Sequence, residues 1–249
     1  MIYKEIQPAI TLLPYVKCFW WFENPAEKVL NLTILPDGCF DIIVVFKNNI
    51  QTEISLTGLW TQQVEVPIEP NTQIFGIRFK LLAADYILKQ KLAAICDTEQ
   101  KLPLNFWNID KMSFTRLEQT AEKFNDIILD VIGDLATVES RILNLSNLLY
   151  ETNGELTVQQ YSLEVFWTSR QINRYFRDRF GLSLKSYANI LRCFASFQQL
   201  RNGNLYPEQN YFDQSHFIKA LKKYTGNSPT ELFQNKNDRF LQLAVLTKK

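Results

Sequence analysis

Phe212-Asp213-Gln214-Ser215-His216-Phe217-Ile218-Lys219, running on to Lys222-Lys223-Tyr224-Thr225-Gly226-Asn227-Ser228-Pro229, is the stretch whose reading decides the fold. Asp213 can open a helix, because its side-chain oxygen accepts an orphan backbone N–H. Phe217 and Leu221, four residues apart, form one apolar face. Gly226 suits the left-handed residue that closes a helix. The same pattern occurs once more. A shift of 45 residues aligns Thr168-Ser169-Arg170-Gln171-Ile172-Asn173-Arg174-Tyr175-Phe176-Arg177 with Asp213 to Lys222, without a gap. Thr168 with Gln171 makes a capping-box pattern. Ile172 and Phe176 repeat the apolar step, and Gly181 repeats the stop.

The outward faces of these two helices, about 168–180 and 213–225, carry the functional expectation. Arg170, Arg174 and Arg177 fall at i, i+4 and i+7 and line one side of the first. Gln214, Ser215, His216 and Lys219 occupy the early turns of the second. Arg, Gln and Lys are side chains able to read base edges in the major groove, where Arg pairs bidentately with guanine. Between the copies, Tyr187, Ile190, Leu191, Phe194 and Phe197 mark a helix of about 15 residues, roughly 22 Å long. Such a strut suits two reading helices about one DNA turn apart, near 34 Å.

Upstream, a helix through Ile142, Leu145, Leu148 and Leu149 begins the second domain, and Asn153-Gly154-Glu155 stops it. A linker is expected near Gly133 to Thr137, dividing the chain into 1–134 and 135–249. The first part reads as β-rich. Tyr15 to Phe22, Leu30 to Leu35, Asp41 to Phe46, Ile50 to Thr57, Gln63 to Ile68 and Gln73 to Phe79 are β-branched or aromatic runs, several bounded by turn signals such as Pro36-Asp37-Gly38. Six such runs predict a small sandwich or barrel, followed by a short helix near Leu82 to Leu92 and a longer one over Phe114 to Ile132. The fold class expected is therefore α+β overall, with a β-rich first domain and an all-α second domain carrying two helix-turn-helix units.

Charge is uneven along the chain as well. Residues 1–153 hold 13 Lys and Arg against 19 Asp and Glu, a balance of −6, whereas residues 154–249 hold 14 against 7, a balance of +7. A basic excess confined to one half suits a polyanionic partner. The four cysteines, Cys18, Cys39, Cys96 and Cys193, lack ligand or disulfide spacing and suit reduced thiols in a cytoplasm. No secretory signal or membrane span is read. No enzyme is expected, since the single histidine, His216, lies on a reading helix and no Gly-rich phosphate loop, HExxH or clustered-ligand pattern appears. Neither a metal nor a cofactor is expected. Asp37 and Asp41 read as a turn residue and a strand start rather than paired catalytic carboxylates. Arg78 suits either an anionic effector or a surface or salt-bridged position.

Over about Glu139 to Gln234 these residues resemble the AraC/XylS family of transcriptional regulators. The resemblance implies a DNA-binding domain of two helix-turn-helix units joined by a linker helix. It implies base-facing positions at Arg170, Asn173 and Arg174 in the first unit and at Gln214, Ser215, His216 and Lys219 in the second. Leu35-Pro36-Asp37-Gly38-Cys39-Phe40-Asp41-Ile42-Ile43, with Gly76-Ile77-Arg78-Phe79, is similar to a β-rich N-terminal domain of some AraC-type regulators, to which effector sensing or assembly is ascribed. Double-stranded DNA, a small-molecule effector and RNA polymerase are the partners this implies. Two departures stand out. Phe166-Trp167 replace the glycine of the first inter-helix turn, and only Asn204 to Asn210, with Pro207 central, occupy the place of the second unit's supporting helix. The second departure favours an alternative, a protein-interaction module whose degenerate helix-turn-helix no longer binds DNA.

Overall fold

The computed structural model describes residues 1–133, 138–206, 211 and 213–234. Its first half contains β1 (Ile2–Ile6), β2 (Val16–Asn24), β3 (Leu30–Ile34), β4 (Phe40–Lys47), β5 (Ile50–Thr57), β6 (Val64–Ile68), β7 (Thr72–Phe79), α1 (Leu82–Tyr86), β8 (Glu99–Leu102) and α2 (Leu117–Ile132). The second half is helical: α3 (Ser140–Glu151), α4 (Val158–Glu164), α5 (Ser169–Phe180), α6 (Leu184–Arg201), α7 (Gln214–Thr225) and α8 (Pro229–Gln234). All six strands read from the sequence are present, and the structure adds β1 and β8 at the two edges.

Six strands pair antiparallel in the order β1-β2-β7-β4-β5-β8, while β3 and β6 form a separate two-stranded sheet. Strand alternation sends Phe19 and Phe75 to one face, where Phe124 of α2 stacks on Phe75 at 5.0 Å between ring centroids. The opposite face places Tyr3, Cys18, Trp20, Phe22 and Ile74 under Leu32 and Ile68 of the small sheet. The result is a packed sandwich backed by a helix.

The Asp37-Gly38 turn is a joint between the halves. Asp37 Oδ1 accepts the Cys39 backbone N–H at 2.9 Å, closing a local turn that leaves Gly38 left-handed at φ 76°. The Gly38 carbonyl then accepts the Tyr187 hydroxyl of α6 at 2.8 Å, and Tyr150 of α3 bonds to the same hydroxyl at 2.9 Å. Burial holds both phenols well above their ordinary range, so they remain O–H donors. A Cβ at position 38 would stand 2.6 Å from Leu191 Cδ2. Lys17 lies 4.3 Å from the Phe194 ring centroid, so Tyr187, Leu191 and Phe194 meet the first half along one stripe of α6. One apolar core accordingly runs from the sheet through α2 into α3, α4, α5, α6 and α7. The expected linker falls largely on 134–137, outside the described residues.

Behind that turn sits a buried ionic cluster. Asp41 faces Arg78 across the β4–β7 pair, with Asp41 Oδ1 receiving Trp20 Nε1–H at 2.7 Å and Arg78 Nε–H at 3.2 Å. Arg78 Nη1 also lies 3.6 Å from Asp37 Oδ2. Arg78 is thus salt-bridged, and Asp37 and Asp41 are its two counter-charges.

Candidate nucleic-acid interface

The first helix-turn-helix is built from short-range signals. α4 and α5 each begin with a complete capping box, Thr157 with Gln160 and Thr168 with Gln171. Each box satisfies two orphan backbone groups reciprocally. α5 ends at Gly181, left-handed at φ 79°, after burying Ile172, Phe176 and Phe180. The turn between α4 and α5 contains Phe166 at φ 53°, in the left-handed region that favours glycine, with its side chain 89% exposed.

On the outer side of α5, Arg170, Arg174 and Arg177 are exposed and line a groove of about 1010 Å³. Val158 at the start of α4, Gln171, Asn173, Asp178 and Lys185 at the start of α6 complete it. Four cations therefore face one carboxylate. Lys91 of the first half bonds Asp178 at 2.6 Å and holds that carboxyl below its usual range, so it is ionised and paired. A groove with this balance attracts a polyanion such as a phosphate backbone.

The expected site residues are not equivalent. Arg170, Arg174 and Arg177 share one face of the groove. Asn173 lines it too, but its amide is engaged within the protein: Nδ2 donates to the Ser169 carbonyl at 3.0 Å and Oδ1 accepts the Leu184 N–H at 3.3 Å. Its visible role is to join α5 to the start of α6. Gln214, Ser215, His216 and Lys219 are exposed on α7. Asp213 caps that helix by accepting the His216 N–H at 2.7 Å, and Gly226 closes it at φ 68°. The His216 ring lies edge-on to Tyr211 at 5.7 Å. The second unit's supporting segment, Asn204 to Asn210, is described only as far as Tyr206; 207–210, with Pro207, lie outside the described residues, as does Phe212. Lys185 escaped the sequence reading because it lies beyond the reading helix. The usable signal was Ser183, whose capping of α6 sets Lys185 on an exposed first turn beside α5.

The fold and groove define a class: a β-rich half joined to a helical half that carries a complete helix-turn-helix and the second helix of another. Residues 4–101 match a family model described as a domain of unknown function (DUF6597). No curated protein matches the chain. Among solved structures the chain is similar to ToxT from Vibrio cholerae O395, with a TM-score of 0.45, 12% identity, and 87% of this chain and 97% of that one covered. A 1.65 Å structure of ToxT from Vibrio cholerae gives a TM-score of 0.44 at 11% identity, covering 94% and 98%. Unsaturated fatty acid-bound ToxT from strain SCE256 gives 0.42 at 12%, covering 86% and 95%. Among the described residues no helix is long and apolar enough to cross a membrane, and no group of three or more His, Cys, Asp or Glu side chains is placed to hold a metal.

Proposed function

We propose that the chain is a sequence-specific DNA-binding transcriptional regulator of the cytoplasm, without catalytic turnover, that inserts α5 and α7 in the major groove. The observation that carries this reading is the open groove on α5, where Arg170, Arg174, Arg177 and Lys185 outnumber a single, already paired Asp178. Arginine supplies both a phosphate contact and a bidentate base reader. In this reading residues 135–249 bind duplex DNA, and residues 1–134 modulate them in response to a small effector or through assembly. RNA polymerase is the downstream partner.

The test is titration of the full chain against fragmented genomic duplex DNA at several salt concentrations. Each phosphate contact contributes about −0.9 to the log–log slope, so four groove cations give a slope near −3.6. A folded chain that shows no binding at about 50 mM salt, where such contacts still hold, would overturn the regulator reading and leave the interaction module in its place.

A further inference from the structure

The back of α5 is seated on the first half of the chain by a set of contacts that includes a nearly buried carboxylate. At about 100° per residue, Tyr175 and Arg179 lie roughly 140° and 180° round the helix from Arg170. Arg174 and Arg177 stay within roughly 40° of it. Asp85 of α1 meets both back-facing residues. Its Oδ2 accepts the Tyr175 hydroxyl at 2.5 Å, and its Oδ1 pairs with Arg179 Nε at 2.8 Å. The Asp85 side chain is only 8% exposed. Burial and the adjacent Asp85 charge raise the Tyr175 phenol, keeping it a donor.

The end of the helix is fixed as well. The Arg179 carbonyl is among the last of α5, which lack partners within a helix. It accepts the Leu92 N–H of the first half at 2.7 Å. Gly181 lies so close to the 3-10 turn Ala93–Ile95 that a Cβ would stand 3.1 Å from the Ala93 carbonyl oxygen. The buried Ile172, Phe176 and Phe180 anchor α5 along one stripe, and a single further contact would resist rotation about that stripe only weakly. Two points on one carboxylate, four residues apart along the helix, resist it firmly.

We propose that Asp85 is a positioning residue for nucleic-acid reading: from the first half of the chain it fixes the rotation of α5, and with it the direction in which Arg170, Arg174 and Arg177 point. This rests on the DNA-binding reading above. A helix that rolls keeps its cations near the phosphates but moves guanidinium groups off the base edges. Specificity is therefore lost before affinity.

Two variants of the full chain test this. Asp85→Asn retains an acceptor for Tyr175 and loses the charge opposite Arg179. Tyr175→Phe keeps the ring packing and removes one attachment point. Without DNA, amide exchange over 169–180 should quicken at least tenfold more than over 184–201 in Asp85→Asn. With DNA, the affinity ratio between a duplex selected from a random pool and the unselected pool should fall at least fivefold in both variants. Affinity for the unselected pool should stay within twofold. Unchanged exchange in α5, or an unchanged ratio, overturns the proposal; should Asp85→Asn fail to fold, Tyr175→Phe decides it. A wild-type chain without any preference among duplexes overturns the proposed function instead, and the seat is then judged on exchange alone.

Discussion

Arg174 and Lys219 are both exposed cations, on α5 and α7, yet their surroundings differ. Arg174 stands between Arg170 and Arg177 on a helix held from behind by Asp85 and capped at both ends. Lys219 stands on α7 with Gln214, Ser215 and His216, a set that contains no arginine. Arg174→Ala is expected to cost about 1–3 kcal/mol and relax preference at one or two base positions, whereas Lys219→Ala weakens binding uniformly across sequences. Titration of both variants against the selected duplex and its single-base variants checks this. The opposite pattern, preference lost with Lys219→Ala and kept with Arg174→Ala, would show that α7 rather than α5 sets the base preference. At this scale the sequence showed the arginine stripe because helix spacing alone fixes it. The inward use of Asn173 was hidden, since its partner Leu184 belongs to the next helix and only tertiary packing brings the two together.

At the scale of elements, the helices with explicit start and stop residues were legible. α5 and α7 lie within a residue of their expected bounds because Thr168, Asp213, Gly181 and Gly226 act locally. The two edge strands were not legible. β8 reads Glu-Gln-Lys-Leu, with no β-branched residue, and becomes a strand because β5 offers a free edge for pairing. The helix expected over Leu82 to Leu92 is shorter, ending at Tyr86, and Lys89 takes φ 52°. That bend allows the following residues to reach the end of α5, a long-range demand invisible to periodicity. The turn between α4 and α5 carries a cost of its own. A left-handed conformation costs a residue with a Cβ about 1–2 kcal/mol. Because Phe166 is 89% exposed, removing its ring forfeits little packing. Phe166→Gly is therefore expected to raise stability by about 0.5–1 kcal/mol, after allowing for the greater unfolded-state freedom of glycine. Thermal unfolding measures it, and a lower midpoint would show that the ring makes contacts that outweigh the strain.

At the scale of the whole molecule, apolar packing joins the two parts that the sequence reading divides at residue 134. Net charge changes sign between residues 1–153 and 154–249, and the packing runs across that division too. Apolar side chains on either side of residue 134 belong to one core, and the Asp37-Gly38 turn, read from sequence as a simple reversal, is the surface against which α6 rests. The intact chain is expected to unfold in a single transition, with calorimetric and van't Hoff enthalpies equal. Tyr187→Phe should lower that stability by about 1 kcal/mol or somewhat more, since it leaves the buried Gly38 carbonyl without its donor. Two separate transitions in the wild-type protein would mean that the shared core contributes little. A chain of two halves invites the picture of interchangeable cassettes. The Gly38–Tyr187 contact argues otherwise for this chain. A helical half grafted from elsewhere would have to bring a phenol at the fourth position of the helix matching α6 and a side chain no bulkier than Leu191 one turn later. At this contact the two halves are fitted to each other, and a helical half taken from another chain is expected to dock only where both features are kept.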